Sequence, residues 1–167
     1  MTSSPVSNTT CDELKTLVLG MGNPILSDDG VGLLVAGRLA ERQLPAGVEV
    51  AVSEVAGLRL LELVRGFTRV IIIDALKSPA EAGREPGEVV RYDASDFKGG
   101  HRYGSAHSIG LDTALEVGRQ VGYDMPGEVI VFAIEAEDIE TFGEELTPAV
   151  AAAADVVTDL VLQEVGG

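Results

Sequence analysis

The sequence predicts a three-layer α/β protein, with helices on both faces of a twisted, mostly parallel five-stranded sheet. Short apolar runs alternate with segments of helical periodicity in the order βαβαβ, then β, α, β, α, and this alternation favours a parallel sheet. Two runs, within residues 69–74 and 128–134, are apolar between their ends, as expected of strands covered on both faces. The length of 167 residues fits one domain.

The N-terminal part supplies the first elements of this sheet. A strand over 16–20 is expected, then a helix over 29–42, a strand over 48–52 and a short helix over 57–65. The first helix follows a pair of acidic residues, and we expect Asp28 or Asp29 to cap it.

The C-terminal part completes the sheet. The expected elements are strands over 69–74, 88–92 and 128–134 and helices over 108–121 and 147 to about 165. Residues 77–87 offer no crossover helix, so the strand over 88–92 is predicted to be antiparallel, at an edge. Thr147 and Pro148 are a typical helix start. The acidic stretch 135–145 is predicted to be a loop, either solvated or touching a partner.

The composition limits the possible partners. There are 12 Lys and Arg against 27 Asp and Glu, and the net charge is −15. This disfavours nucleic acid and anionic membranes, because binding either requires a positive face. A basic protein partner, a cation or a merely well-solvated surface is compatible with it.

Residues 1–15 are expected to be a flexible N-terminal extension and residues 16–167 a single domain. The start lacks the basic and apolar regions of a signal peptide, and no stretch has the ~18 apolar residues of a membrane span. Cys11 is the only cysteine, so no intramolecular disulfide is expected. A cytoplasmic protein is therefore predicted.

The loop over residues 20–32 is the first candidate for chemistry. Gly20 and Gly22 follow a strand as in dinucleotide-binding loops, but Ile25 holds the place of the third glycine. Two carboxylates there would also repel a pyrophosphate. A tight turn and a helix cap explain some of the glycines and one aspartate, but they leave Asn23 and the second aspartate unexplained.

Asp74 and His107 are the other candidates. Asp74 ends the central predicted strand, where a buried carboxylate is costly unless paired or ligated; it caps the following chain, or it is a cation ligand or catalytic acid. His107 precedes a predicted helix, where a lone histidine is more often a structural hydrogen-bonding residue than a ligand. In this fold class the carboxyl ends of the strands form the ligand site, and Asp29, Asp74 and His107 together suit a borderline divalent ion with open positions.

These motifs resemble the nickel-iron hydrogenase maturation endopeptidases. The resemblance runs from residue 17 to about 165. It rests together on Gly20-Met-Gly-Asn23 followed by Asp28-Asp29-Gly30, on the strand ending in Asp74, and on Ser105-Ala-His107 leading into Gly110-Leu111.

The resemblance implies an endopeptidase that removes a C-terminal peptide from the hydrogenase large-subunit precursor after nickel insertion. It implies that the nickel is carried by the substrate as a recognition element, and that Asp29, Asp74 and His107 contact it. Asn23 matches the loop asparagine, and Asp28 would cap the helix or orient the loop. No organic cofactor, nucleic acid or membrane is expected.

The chain departs from the family at a few positions. Asp29 stands where some members have Glu, and Ala106 stands where several have Pro, while Pro24 is common in only part of the family. These departures leave the hydrogenase that is processed open. The nucleophile is also open, since no Gly-x-Ser-x-Gly elbow or His-Glu-x-x-His helix is present. Two other hypotheses are a nickel-responsive chaperone that releases no peptide and a related peptidase with another precursor.

Overall fold

The computed structural model describes residues 14–54, 57–93, 96 and 111–167. Within these ranges the strands are β1 (Thr16–Met21), β2 (Val48–Ser53), β3 (Arg69–Leu76), β4 (Val89–Asp93) and β5 (Glu128–Glu135). The α-helices are α1 (Val31–Ala40), α2 (Leu60–Val64), α3 (Leu111–Gln120) and α4 (Pro148–Gly166). Short 3-10 helices cover Ser27–Gly30, Gly57–Arg59 and Ala80–Ala82.

The described strands form one sheet in the order β2-β1-β3-β5-β4. β1 is parallel to β2 and β3, β3 is parallel to β5, and β4 alone runs antiparallel, at the edge beside β5. The connection into β4 contains only the short turn Ala80–Ala82, which is too short to carry the chain back for a parallel strand. The predicted fold class and its antiparallel edge strand are confirmed.

Alternate side chains of the central strands pack against two layers of helices. Ile71 and Ile73 belong to a cluster with Val35 of α1 and Val157 of α4. Ile72 points to the opposite face and packs in the cluster that contains the buried residues of α2 and α3. Because residues two apart on a strand share a face, the uninterrupted apolar run of β3 is what this double burial requires.

Two boundary predictions need correction. α1 begins at Val31 with Gly30 as its N-cap and no side-chain capping bond, so the prediction that Asp28 or Asp29 caps it is wrong. The 3-10 turn Ser27–Gly30 precedes α1 and contains both aspartates. β3 continues to Leu76 because it stays paired with β5, which leaves Asp74 inside the strand rather than at its end.

Several predictions fall outside the described ranges. They concern Cys11, most of the extension 1–15, the start of the helix predicted from residue 108, and His107. Among the residues that are described, no helix is both long and apolar enough to cross a membrane.

Candidate functional site

The strands β1 and β3 part at their carboxyl ends, and we call this edge of the sheet the crevice. From β1 the chain moves outward to β2 and then returns to β3 on the other side, which makes this the switch point where open α/β sheets bind ligands. The pairing of β1 with β3 ends at Gly20 and Ile73, whereas β3 stays paired with β5 as far as Leu76. Asp74 therefore lies one residue beyond the point where β1 leaves β3.

Glycines bring the start of α1 directly onto these strand ends. A Cβ atom at Gly32 would lie 2.2 Å from the carbonyl oxygen of Met21 and 2.3 Å from that of Ile73. A Cβ atom at Gly20 would lie 2.2 Å from the carbonyl oxygen of Gly32. Larger residues would push the helix off the sheet, so these glycines permit close packing of backbone on backbone.

The same packing carries Asp29 to the crevice. Gly22 has a φ of +152°, and a Cβ atom there would lie 1.9 Å from the carbonyl oxygen of Asp29. Asp29 is 9% exposed and Asp74 is fully buried. Asp29 therefore lies on the loop that follows β1 (residues 22–30, the β1 loop), and Asp74 lies on β3 one residue beyond its pairing with β1.

The third predicted ligand is not among the residues that the structure describes. His107 lies outside the described residues, and within the described ranges no group of three His, Cys, Asp or Glu side chains could hold a metal ion. Asp29 and Asp74 are the described members of the predicted ligand set.

Asp28 serves a different purpose from its neighbour. It is fully buried, and its Oδ2 accepts hydrogen bonds from the backbone N–H groups of Glu137 and Asp138, each at 2.9 Å. The backbone N–H of Thr147 donates to Oδ1 at 2.7 Å, and the hydroxyl of Thr147 donates to Oδ2 at 3.0 Å. Asp28 therefore fastens the segment before α4 to the β1 loop.

Asn23 shapes the loop locally. Its Oδ1 accepts a hydrogen bond from the backbone N–H of Ile25 at 3.2 Å, as in an Asx turn. Its backbone N–H donates to the carbonyl of Asp29 at 3.3 Å, and its carbonyl accepts from Leu26. These bonds hold the turn that leads to Asp29 and give Asn23 a structural role.

The acidic loop 135–145 is the part of the site that sequence reasoning missed. Leu26 and Gly143 form an isolated parallel bridge, and the Ser27 hydroxyl donates to the carbonyl of Glu145 at 3.0 Å. The loop is thus docked on the β1 loop. The only sequence signal was the surplus aspartate, Asp28, which the helix cap did not need.

Two acidic residues, Glu135 and Asp138, hold the first part of this docked loop. Glu135, only 4% exposed, accepts hydrogen bonds from the backbone N–H and the hydroxyl of Ser78. The Oδ1 of Asp138 accepts from the backbone N–H groups of Glu140 and Thr141, both at 2.9 Å. Hydrogen bonds from the Thr141 side chain and from these N–H groups lower the pKa of Asp138.

Comparison with known proteins shows the family of this chain. The family model described as hydrogenase maturation protease matches residues 34–164. The hydrogenase 2 maturation protease of Escherichia coli is 30% identical over 152 residues, covering 89% of each chain. The hydrogenase expression/formation protein HupD of Rhodobacter capsulatus is 30% identical over 84% of this chain, which spans 66% of that protein.

Solved structures show the same fold. The hydrogenase maturating endopeptidase HybD from E. coli superposes with a TM-score of 0.77 at 28% identity, covering 90% of this chain and 91% of that one. The [NiFe] hydrogenase maturation protease HybD from Thermococcus kodakarensis gives a TM-score of 0.71 at 28% identity, covering 90% and 99%.

Proposed function

Because the chain belongs to the hydrogenase maturation protease family, a family of peptide hydrolases, we propose that it is an endopeptidase acting on the large-subunit precursor of a nickel-iron hydrogenase. It removes the C-terminal extension of that precursor after nickel insertion. The nickel is carried by the substrate and serves as the recognition element.

The observation that supports this proposal is that two buried acidic residues belong to the segments that end at the switch point. Asp29 reaches it from the β1 loop, and Asp74 is buried in β3 beside it. With His107 they make a set of two carboxylates and one imidazole, which suits a borderline divalent ion and leaves positions for substrate groups.

The chemistry follows from docking the substrate's nickel on these residues. The ion positions one peptide bond, and as a Lewis acid it polarises the carbonyl oxygen of that bond or a bound water. Hydrolysis adds water across the bond, producing a new carboxylate and a released amine. Fixing the geometry supplies much of the rate gain, and here Asn23 and Asp28 hold the loop that carries Asp29.

The test compares nickel-loaded and nickel-free precursor in a cleavage assay. We expect the wild-type protein to release the C-terminal peptide, seen by mass spectrometry, only from the nickel-loaded precursor. Equal cleavage of both forms would contradict the role of nickel.

Asp74→Asn tests the carboxylate itself. We expect this variant to lose cleavage while its circular dichroism spectrum and melting temperature stay close to those of the wild type. Asp159→Asn, on the exposed side of α4, is the matched control and should cleave normally. Cleavage by Asp74→Asn would show that Asp74 is only structural.

The same assay separates the proposal from a nickel-responsive chaperone. A chaperone would bind the nickel-loaded precursor and leave its mass unchanged. Failure to cleave this precursor, with cleavage of a different one, would instead favour a related peptidase.

A further inference from the structure

Two exposed apolar residues lie on neighbouring backbone segments near the crevice. Phe142 is 80% exposed and Ile25 is 49% exposed. The chain has only four Phe and three Tyr and no Trp, so an aromatic ring left almost fully in water is unusual for it. Because single exposed apolar residues need no explanation, the argument depends on how these two are held and where.

Backbone hydrogen bonds join the two segments that carry these residues. The N–H of Gly143 donates to the carbonyl of Ile25 at 3.0 Å, and the N–H of Ser27 donates to the carbonyl of Gly143 at 2.8 Å. The bridged pair is Leu26 and Gly143, and Ile25 and Phe142 directly precede it on the two segments, which in a sheet lie about 4.8 Å apart. We call Ile25 and Phe142 the apolar rim.

The rim is fixed from both sides. The turn before Phe142 is held by the carboxylate of Asp138, and the chain after Gly143 is held by Ser27 and Asp28. Its segments are therefore ordered before any partner binds, and a pre-organised surface avoids most of the entropy cost of binding.

The rim adjoins the candidate site. The N–H of Asp29 donates to the carbonyl of Leu26 at 2.8 Å, within the same turn that carries Ile25. A polypeptide bound near Asp29 would therefore lie close to the turn that carries Ile25.

The surrounding charge indicates the chemistry of that polypeptide. Lys77 lies at the start of the docked loop, where its Nζ donates hydrogen bonds to the carbonyls of Ala136 and Glu137, and the remaining charges of the loop are acidic. The docked loop itself exposes Glu137, Glu140, Glu144 and Glu145. Such a surface repels an acidic partner and favours basic side chains on either side of an apolar one.

We propose that the apolar rim of Ile25 and Phe142 receives an apolar side chain of the substrate polypeptide near the bond that is cut, while the acidic loop favours basic residues flanking it. The inference rests on the proposed function for the identity of the polypeptide, namely the hydrogenase precursor. It assigns substrate selection to the docked loop and the chemistry to the crevice.

The experiment measures binding and cleavage separately with the full-length protein. Phe142→Ser and Ile25→Ser are compared with Val156→Ser, a control 53% exposed on α4. Affinity for the nickel-loaded precursor is measured by biolayer interferometry and cleavage by steady-state kinetics. We expect Phe142→Ser to weaken binding and raise KM about tenfold or more, as for an aromatic residue at the centre of an interface, with kcat within about twofold. Val156→Ser should change neither.

Charge is tested with the double variant Glu140→Gln and Glu144→Gln. We expect slower association with the precursor and a weaker dependence of that rate on salt. An unchanged rate and salt dependence would remove the charge part of the proposal.

The outcomes separate this inference from the proposed function. If the wild type cleaves the precursor and Phe142→Ser has unchanged KM, the inference is wrong and the function stands. If the wild type binds the precursor through Phe142 but never cuts it, the endopeptidase function fails and the docking surface stands. If Phe142→Ser changes only self-association in sedimentation, the rim joins two copies of this chain and the inference is overturned.

Discussion

Asp28 and Asp29 are adjacent in the sequence, and the structure separates their surroundings. The carboxylate of Asp28 is saturated by three backbone N–H groups and one hydroxyl. Hydrogen bonds to a charged acceptor are worth about 1.5–3 kcal/mol each, and buried donors left without an acceptor are costly. Asp28 therefore stabilises the docked loop, whereas Asp29 is the residue of the pair that we propose binds nickel.

Replacing Asp28 tests this division. Asp28→Asn keeps the shape but puts an amide N–H₂ against N–H donors, so we expect it to lower the free energy of unfolding by about 2–4 kcal/mol. Urea denaturation followed by circular dichroism measures the change. The control is Asp155→Asn, whose exposed ion pair with Arg38 should be worth less than about 1 kcal/mol. Equal effects of the two variants would contradict the anchoring role of Asp28.

The stability of the turn before Phe142 should depend on pH through the carboxyl group of Asp138. The pKa of Asp138 is lowered below the ordinary 3.8 by the Thr141 side chain and by backbone N–H groups. A lowered pKa in the folded state means that the stabilisation is present above 3.8 and is lost as the pH falls through the folded value.

NMR titration of the Asp138 carboxyl carbon measures this directly. We expect a midpoint below 3.8 in the wild type and a midpoint closer to 3.8 in Thr141→Val, which lacks the donating hydroxyl. A midpoint in Thr141→Val equal to that of the wild type would show that the hydroxyl does not hold the carboxylate.

At the scale of elements, the site depends on how closely α1 approaches the sheet. The carbonyl oxygens of Met21 and Ile73 lie where a Cβ atom of Gly32 would be. The first turn of α1 therefore sits on the ends of β1 and β3 at backbone distance, and the 3-10 turn with Asp29 is carried to the crevice with it.

Two glycines of the same helix give a matched pair of substitutions. Gly32→Ala forces the helix off the strands, and we expect it to lower the free energy of unfolding by about 1–3 kcal/mol. A Cβ atom at Gly37 meets nothing within 4 Å, so Gly37→Ala should raise stability by up to about 1 kcal/mol through helix propensity. Thermal and urea unfolding measure both. Opposite signs are the expected result, and two changes of the same sign would contradict the packing argument.

The elements themselves were predictable because their signals are local. The apolar run of β3 and the missing crossover before β4 each determine a feature of the sheet from a few consecutive residues. The docked loop was not predictable, because Asp28 and Thr147 are 119 residues apart. No local sequence pattern at either residue predicts the contact between them. Asp28 was predicted as a helix cap because caps are local; its actual partners belong to the chain before α4. The proposed roles of Asp29 and Asp74 came from residue type and strand order, and the ligand set stays a prediction.

Over the whole molecule, acidic residues outnumber basic residues by more than two to one. The chain carries 27 acidic and 12 basic residues. Arg69 and Arg91 both engage Glu164, which joins β3 and β4 to the end of α4. Although burial lowers the pKa of Arg91, its hydrogen bond to Glu164 and the charges of Glu164 and Asp93 raise it overall. Away from such pairs, the net charge of −15 favours expansion through self-repulsion.

Salt should therefore stabilise this protein. Raising the ionic strength from about 0.01 M to 0.15 M shortens the screening length from about 30 Å to 8 Å, which weakens repulsion across the whole molecule more than attraction between paired neighbours. We expect the melting temperature to rise by about 2–4 °C, equivalent to about 1 kcal/mol for a chain of this size, in differential scanning fluorimetry with NaCl. The double variant Glu140→Gln and Glu144→Gln, with two fewer negative charges, should show a smaller rise. If the melting temperature falls with salt instead, the attraction within ion pairs such as Arg69–Glu164 outweighs the repulsion between like charges. The acidic surface would then not destabilise the folded state.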